Sequence, residues 1–339
     1  MKMISGKNIL ITGGAGFLGY YLTKSFLYWN KKNKNLKPIK LTIYDNLFRG
    51  VPMWIESLTD DPNFTLINKS IVENLSNDIS NFNFIIHAAS IASPIFYRKY
   101  PIETMDANVL GLRNLLDFAK NQIFDLEGFL FFSTSEIYGD PDNNNIPTTE
   151  EYRGNVSCTG PRACYDESKR YGETMCINFA NHYDMPIGIA RPFNNYGPGL
   201  KLEDGRVIPD FAKSILNNED IILFSDGSPT RTFCYIADAI VGYIKILTSS
   251  VRGDAFNIGI ENPEISIIDL ANKFIKVSEK LFGYRGKVVS KVNLDKEYLT
   301  DNPNRRCPSI EKARKNLDYN PTIELEDGIE RSLIWYKNN

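Results

Sequence analysis

Apolar positions along the chain alternate between two textures. Short runs at Asn8–Thr12, Leu41–Tyr44, Phe64–Asn68, Phe82–Ile86 and Met185–Ala190, and a longer one at Gly128–Gly139 that ends in hydroxyls and a carboxylate, read as strands. Between them, apolar residues recur at helical spacing: Phe17, Tyr21, Leu22 and Phe26 after the first run, and Met105, Val109, Leu112, Leu115, Leu116 and Phe118 within 101–120. The Gly128 run has almost no polar interruption, as a parallel strand covered on both faces requires. Strand and helix in strict alternation predict an α/β chain with a doubly wound parallel sheet. From Arg191 to Pro198, proline and glycine punctuate the sequence, and the alternation then becomes irregular. Leu223–Arg231 predicts a strand and turn presenting an arginine, Tyr235–Leu247 a helix, and Pro308 a helix start. The division expected is 1–190 for the sheet domain, with a returning segment near 230–260, and 191–339 for a smaller α/β domain on the C-terminal side.

Composition narrows the partners. The 339 residues leave room for about two domains of roughly 150 each, and 42% hydrophobic residues suffice for their cores. A net charge of -2 predicts neither a nucleic-acid nor a membrane surface, so an anionic ligand needs a local site. Met1–Lys7 lacks an apolar signal core, and no apolar run approaches the ~18 residues of a membrane span. A cytoplasmic location is expected. Cys158, Cys164, Cys176, Cys234 and Cys307 form no CxxC pair and read as free thiols. With only His87 and His182, a histidine metal site is excluded and a Ser/His/Asp triad is disfavoured, so no metal is expected.

Three stretches carry chemistry. Gly13, Gly16 and Gly19 lie between a strand and a helix, where they permit a tight turn, close approach of a pyrophosphate and close helix packing. This is the turn of a Rossmann-type dinucleotide fold. Asp45, ending the second strand, suits the ribose hydroxyls of NAD and would repel the 2'-phosphate of NADP, the reading favoured over a turn or helix-cap role. His87 reads as a packed histidine, and the small residues Ala88 and Ala89 beside it let a cofactor come close. Ser133, Thr134, Ser135 and Glu136 fall at the carboxyl end of a central strand, where ligands of open parallel sheets lie. Tyr165 and Lys169 are four apart at a helix start, so an ammonium could favour the phenolate of a base. Tyr20 and Lys24 share that spacing in an ordinary helix, so spacing alone does not decide.

Together, the run Thr12–Gly19, the hydroxyl-rich strand end at 133–136 and Tyr165-x-x-x-Lys169 resemble the extended short-chain dehydrogenase/reductases of the nucleotide-sugar type. More narrowly, Ala92–Tyr97, Ser133–Pro141, Gly160–Glu167, Asp204–Val207, Thr230–Arg231 and Arg306–Ile310 resemble the UDP-glucuronate decarboxylases. The resemblance implies that Tyr165 takes the proton of the sugar 4-hydroxyl, Lys169 lowers its pKa and holds the nicotinamide ribose, and Thr134 bonds the same hydroxyl. NAD would accept the C4 hydride and return it. Arg306 would stabilise the enolate left by decarboxylation, Glu136 would assist, and Tyr97 and Ser135 would contact the carboxyl region. Asn194 and Arg231 would hold the diphosphate and nucleotide ribose. Phe17, Leu18, Asn46, Ala88, Ala89 and Asn108 would join the glycines and Asp45 around NAD. A homodimer through the helices at 101–120 and 165–180 is also implied. Ser168, Cys158 and Ser70 depart from the usual decarboxylase residues, and Thr134-Ser135-Glu136 also matches nucleotide-sugar 4,6-dehydratases of the GDP-mannose type. A 4-epimerase would use the same Tyr-Lys pair, and a silent NAD-binding regulator could be built on the same fold.

Overall fold

A computed structural model describes residues 2–75, 79, 81–122, 125–291 and 300–339. Seven strands form one parallel sheet in the order Asp254–Ile258, Ile187–Pro192, Gly128–Phe132, Phe84–His87, Asn8–Thr12, Lys40–Asp45, Phe64–Asn68. Chain order reverses between Asn8–Thr12 and Phe84–His87, and at such a switch point the helices cover opposite faces and leave a crevice. The central strands are apolar because nothing of them reaches water: Ile9, Leu10, Ile11, Ile85, Ile86, Phe129, Leu130 and Phe131 are fully buried. Each such side chain contributes about 1.5–3 kcal/mol relative to an exposed one.

The expected helix at 101–120 forms as Pro101–Asp106 and Leu112–Asn121 joined by a π turn at Ala107–Gly111. The wide turn carries Asn108 inward, where its side-chain amide donates to Ser168 Oγ at 2.8 Å on the helix Ala163–Tyr183. The strand expected from Gly128 stops at Phe132, after which Ser135–Tyr138 make a turn of 3₁₀ helix in which Glu136 N donates to Thr134 Oγ1. The chain rejoins the sheet at Asp254–Ile258, inside the expected returning segment.

Small strands build the C-terminal lobe. Ile221–Leu223 pairs with Val288–Ser290, and Thr230–Arg231 lies between Ile265–Ser266 and Arg305–Arg306. Pro308 does not start a helix: it bridges Thr148, and the next helix begins at Glu311. A helix needs its first turn clear of other pairing, and here the chain still runs extended against Thr148. One apolar core runs from the sheet (Ile9, Phe132) through the helix Ile236–Leu247 to the last helix, Leu325–Asn338. Among the described residues no helix is long and apolar enough to cross a membrane.

Candidate active site

A cleft of about 1550 Å³ opens at the carboxyl ends of the sheet strands, between the sheet and the C-terminal lobe. Its floor is the glycine turn. Gly13 takes φ +68°, and a Cβ there would stand 2.4 Å from the backbone nitrogen of Ala89. At Gly19 a Cβ would meet the carbonyl oxygen of Gly14 at 2.3 Å. Gly16 differs: its Cβ would meet only Gly13 O, at 3.4 Å, so the protein itself tolerates a side chain there. Bare backbone at Gly16 serves whatever approaches from the cleft, as a pyrophosphate at a helix N-terminus would. We expect Gly13→Ala to lower unfolding stability by about 1–3 kcal/mol through strain at positive φ, read from a denaturation midpoint. A midpoint unchanged from the parent would mean the turn relaxes freely.

Asp45 closes the cofactor end. Its Oδ2 accepts from Ala15 N at 3.0 Å and its Oδ1 from Leu47 N at 2.7 Å, so the carboxylate pins the glycine turn to the second strand. Burial pushes its carboxyl up, against the pull of those two amides. Phe17, Leu18, Asn46, Ala88 and Ala89 line the same end of the cleft. Asn108 does not: it is fully buried behind the wall. His87 is packed as expected, stacked on Phe131 and bonded through Nδ1 to Thr12 Oγ1 at 2.7 Å. Burial, helped by the Lys169 charge, lowers it to about 3, so it is neutral.

Tyr165 projects from the helix Ala163–Tyr183 against Tyr97, with ring centroids 5.1 Å apart and planes 11° from parallel. Its phenol shares a side-chain hydrogen bond with Thr134. Burial pushes it up to about 12, opposed by Thr134 and by the positive charge of Arg206. Lys169 is 2% exposed and donates to Phe132 O at 2.8 Å, and burial lowers it to about 7. Lys169 Nζ lies 5.9 Å from the centroid of the Tyr165 ring. Arg206, which also favours the phenolate, donates from Nη2 to Ala92 O at 3.0 Å and pairs through Nε with Asp204 Oδ2 at 3.1 Å.

At the other end stands a cluster of charges. The Arg305–Arg306 strand runs parallel to Thr230–Arg231, which sets Arg306 beside Arg231. Arg306 grips Glu136 with both terminal nitrogens, Nη2 donating to Oε2 at 2.7 Å. Arg162 Nη2 donates to the same Oε2. Burial alone would raise the Glu136 carboxyl, but Arg162 and Arg306 outweigh it and hold it at about 2. Arg231 is buried and spreads its Nη atoms over the carbonyls of Thr230, Pro303 and Asn304; burial and then Arg306 lower it to about 9. Asn194, at φ 41°, donates to Thr232 O at 2.9 Å and lines the cleft with Tyr97 and Ser135.

Several participants lie in stretches that carry the resemblance but drew no role from the sequence: Arg162 and Asp166 within Gly160–Glu167, and Arg206 within Asp204–Val207. By spacing alone Arg162 and Asp166 are an i, i+4 pair at the start of the Tyr165 helix, a signal no stronger than any surface pair. Ser133 Oγ donates to Glu173 at 2.5 Å, and Glu173 takes the fork of Arg191 at 2.9 and 2.6 Å; this buried network backs the strand end at 133–136. Of the three residues that depart from the usual decarboxylase pattern, Ser70 lines the cleft, Cys158 is exposed, and Ser168 bonds Tyr165 O at 3.0 Å.

Comparisons with known proteins agree with this geometry. The sequence pattern of the NAD dependent epimerase/dehydratase family matches residues 9–259. UDP-glucuronic acid decarboxylase 1 of Xenopus tropicalis is 36% identical over 335 residues, covering 98% of this chain and 72% of that protein. UDP-glucuronic acid decarboxylase 6 of Arabidopsis thaliana is 35% identical over 329 residues, covering 96% of this chain and 87% of its own. Among solved structures, the UDP-glucuronic acid 4-epimerase of Bacillus cereus, with UDP-glucuronic acid and NAD, superposes with a TM-score of 0.77 at 26% identity, covering 98% of this chain and 99% of the other. The glycine floor and Asp45 fit NAD, the cofactor of that family. The chain belongs to the NAD dependent epimerase/dehydratase family and, within it, to the group of the UDP-glucuronic acid decarboxylases.

Proposed function

We propose that the protein converts UDP-glucuronate to UDP-xylose through a 4-keto intermediate. One observation carries this: the Arg306 fork on Glu136 lies in the same cleft as the Tyr165–Thr134 pair, so a sugar oxidised at C4 would present its C5 carboxylate to the arginines. When bound, NAD supplies a reversible acceptor for the C4 hydride. Tyr165 accepts the 4-hydroxyl proton, Thr134 orients that hydroxyl, and Lys169 holds the nicotinamide ribose. A 4-keto group stands beta to the carboxylate, so the bond to carbon dioxide breaks with its electrons passing to the ketone oxygen. Arg306 stabilises that enolate as a donor already in place when the charge develops, Glu136 keeps the guanidinium in register, and Tyr97 and Ser135 border the carboxylate. Arg231 and Asn194 hold the diphosphate end.

Incubation with UDP-glucuronate followed by NMR tests this. UDP-xylose and carbon dioxide are expected with no net use of NAD. UDP-galacturonate would instead make the protein a 4-epimerase, and no turnover of any UDP-uronate would remove the assignment.

The homodimer belongs to the same proposal. Ile102, Met105, Leu110 and Tyr171 are 37–60% exposed on the helices expected to meet a second copy, and exposed apolar side chains on those helices support an interface there. A cytoplasmic location is supported by five free cysteines, as a reducing compartment would leave them.

A further inference from the structure

Arg231 and Arg306 stand in direct register on neighbouring parallel strands, and both line the cleft, where they are 7% and 6% exposed. Two buried guanidinium groups side by side repel each other, and after burial it is Arg306 that lowers Arg231 most. On the cleft side Glu136 takes the fork of Arg306, while Arg231 spends its Nη atoms on the carbonyls of Thr230, Pro303 and Asn304. The strands that carry the pair are only two residues each, joined by Thr230 N to Asn304 O at 2.9 Å and Thr232 N to Arg306 O at 3.3 Å. Something else must hold two like charges at adjacent positions.

Side chains alternate across a strand, so the residue before each arginine, Thr230 or Arg305, emerges on the face away from the cleft. There both meet one carboxylate. Glu264 immediately precedes the third strand, Ile265–Ser266, which pairs antiparallel with Thr230–Arg231. Its Oε1 accepts from Arg305 Nε at 2.9 Å and its Oε2 from Arg305 Nη2 at 2.7 Å, and Thr230 Oγ1 donates to the same Oε1. A bidentate fork fixes orientation as well as distance, which sets it apart from an ordinary ion pair near the surface. The hydrogen bonds of Arg305 hold the Glu264 carboxyl below its usual range, and Thr230 and the charges of Arg305 and Arg231 add to them. Glu264, Thr230 and Arg305 do not line the cleft.

We propose that Glu264 is a positioning residue: by holding Thr230 and Arg305 together behind the cleft, it fixes Arg231 and Arg306 side by side, one toward the diphosphate and the other toward the sugar. The inference rests on the decarboxylase assignment above. Glu264 acts through the residues next to the two arginines, so C4 oxidation at Tyr165 and Thr134 lies outside its reach. Without the clamp the like charges are free to move apart. Other anchors keep the chain in place: Asp140 accepts from Asn304 N at 2.8 Å and from Asn304 Nδ2 at 2.9 Å, and Thr148 N donates to Cys307 O at 2.8 Å. The consequence of losing Glu264 is therefore a spread arginine pair in a folded lobe.

Single-turnover reactions of the holoenzyme with UDP-glucuronate, together with the binding of UDP alone, test this. Glu264→Ala should slow carbon dioxide release and weaken UDP binding by about 10-fold each, less than the ~10² that a 1 Å misplacement of a reacting group costs. Cofactor reduction at saturating substrate should keep the parent's rate. Arg305→Ala should give the same pattern, and the double variant should be no worse than either, because both changes remove one interaction. Exchange of the partners, Glu264→Arg with Arg305→Glu, should restore most of both readouts. A general loss of structure would slow cofactor reduction as well and would not be repaired by the exchange, so that pattern overturns the clamp. Parental carbon dioxide release and UDP affinity in Glu264→Ala also overturn it, as do additive effects of the two alanines. Should Glu264→Ala not fold, the exchanged pair decides: recovery of both readouts supports the clamp, and failure to recover them overturns it. A parent that releases no carbon dioxide from UDP-glucuronate overturns the decarboxylase assignment itself, and UDP affinity then decides the clamp.

Discussion

Tyr165→Phe is expected to slow turnover of UDP-glucuronate by about 10²–10⁴-fold, the contribution of a positioned general base. Phenylalanine keeps the ring stacked on Tyr97 and the burial of the helix start, so the melting temperature should change little. What it loses is the hydroxyl bonded to Thr134. The free protein holds the phenol near 12, so at neutral pH only a small fraction is phenolate, and the rate should climb with pH wherever C4 oxidation limits. Two cations can shift that balance: Arg206, which already favours the phenolate, and Lys169, whose ammonium is populated only below about 7 in this buried setting. The measurement is reduced-cofactor formation in a single turnover. Activity near the parent's in Tyr165→Phe would transfer the base to another group and undo the central assignment.

Comparison of Tyr165–Lys169 with Tyr20–Lys24 shows why spacing did not identify the base. Lys24 Nζ sits 5.8 Å from the Tyr20 ring centroid and Lys169 Nζ 5.9 Å from that of Tyr165, so the same interval yields the same local geometry. Burial separates them: Lys169 is bonded to the end of a central strand, and burial depends on residues far away in sequence. The sheet was legible because each strand carries its own apolar run, and Asn8–Thr12 and Phe64–Asn68 form with the expected bounds. The π turn was not legible, since Ala107–Gly111 has ordinary helical periodicity and is widened by the tertiary bond from Asn108 to Ser168. Pro308 was misplaced for a similar reason: its partner, Thr148, lies in a loop no local pattern joins to it. The charge cluster joins Glu136 to a residue 170 positions away, so only a family resemblance brought Arg306 into view, and the roles of Arg162 and Arg206 awaited the fold.

Arg306→Ala should separate the two halves of the reaction. C4 oxidation depends on Tyr165, Thr134 and Lys169, none of which touches Arg306, so the cofactor should still be reduced at a rate near the parent's. Decarboxylation should fall by about 10²–10³-fold, the loss seen when one donor to a developing oxyanion is removed, so reduced cofactor and a 4-keto uronate accumulate together. Structural damage is limited because Glu136 keeps Arg162, and a carboxylate with one buried cation left is not an orphaned charge. Removing Arg306 also relieves Arg231 of a neighbouring positive charge that helps hold it near 9. Arg306→Lys restores the charge without the planar fork that grips both oxygens of Glu136, so it should recover only part of the decarboxylation rate. A single turnover that reports both carbon dioxide and cofactor reduction separates the steps. If carbon dioxide release in Arg306→Ala kept pace with the parent, the enolate would be stabilised elsewhere, with Arg162 or Arg231 the remaining guanidinium groups of the cluster.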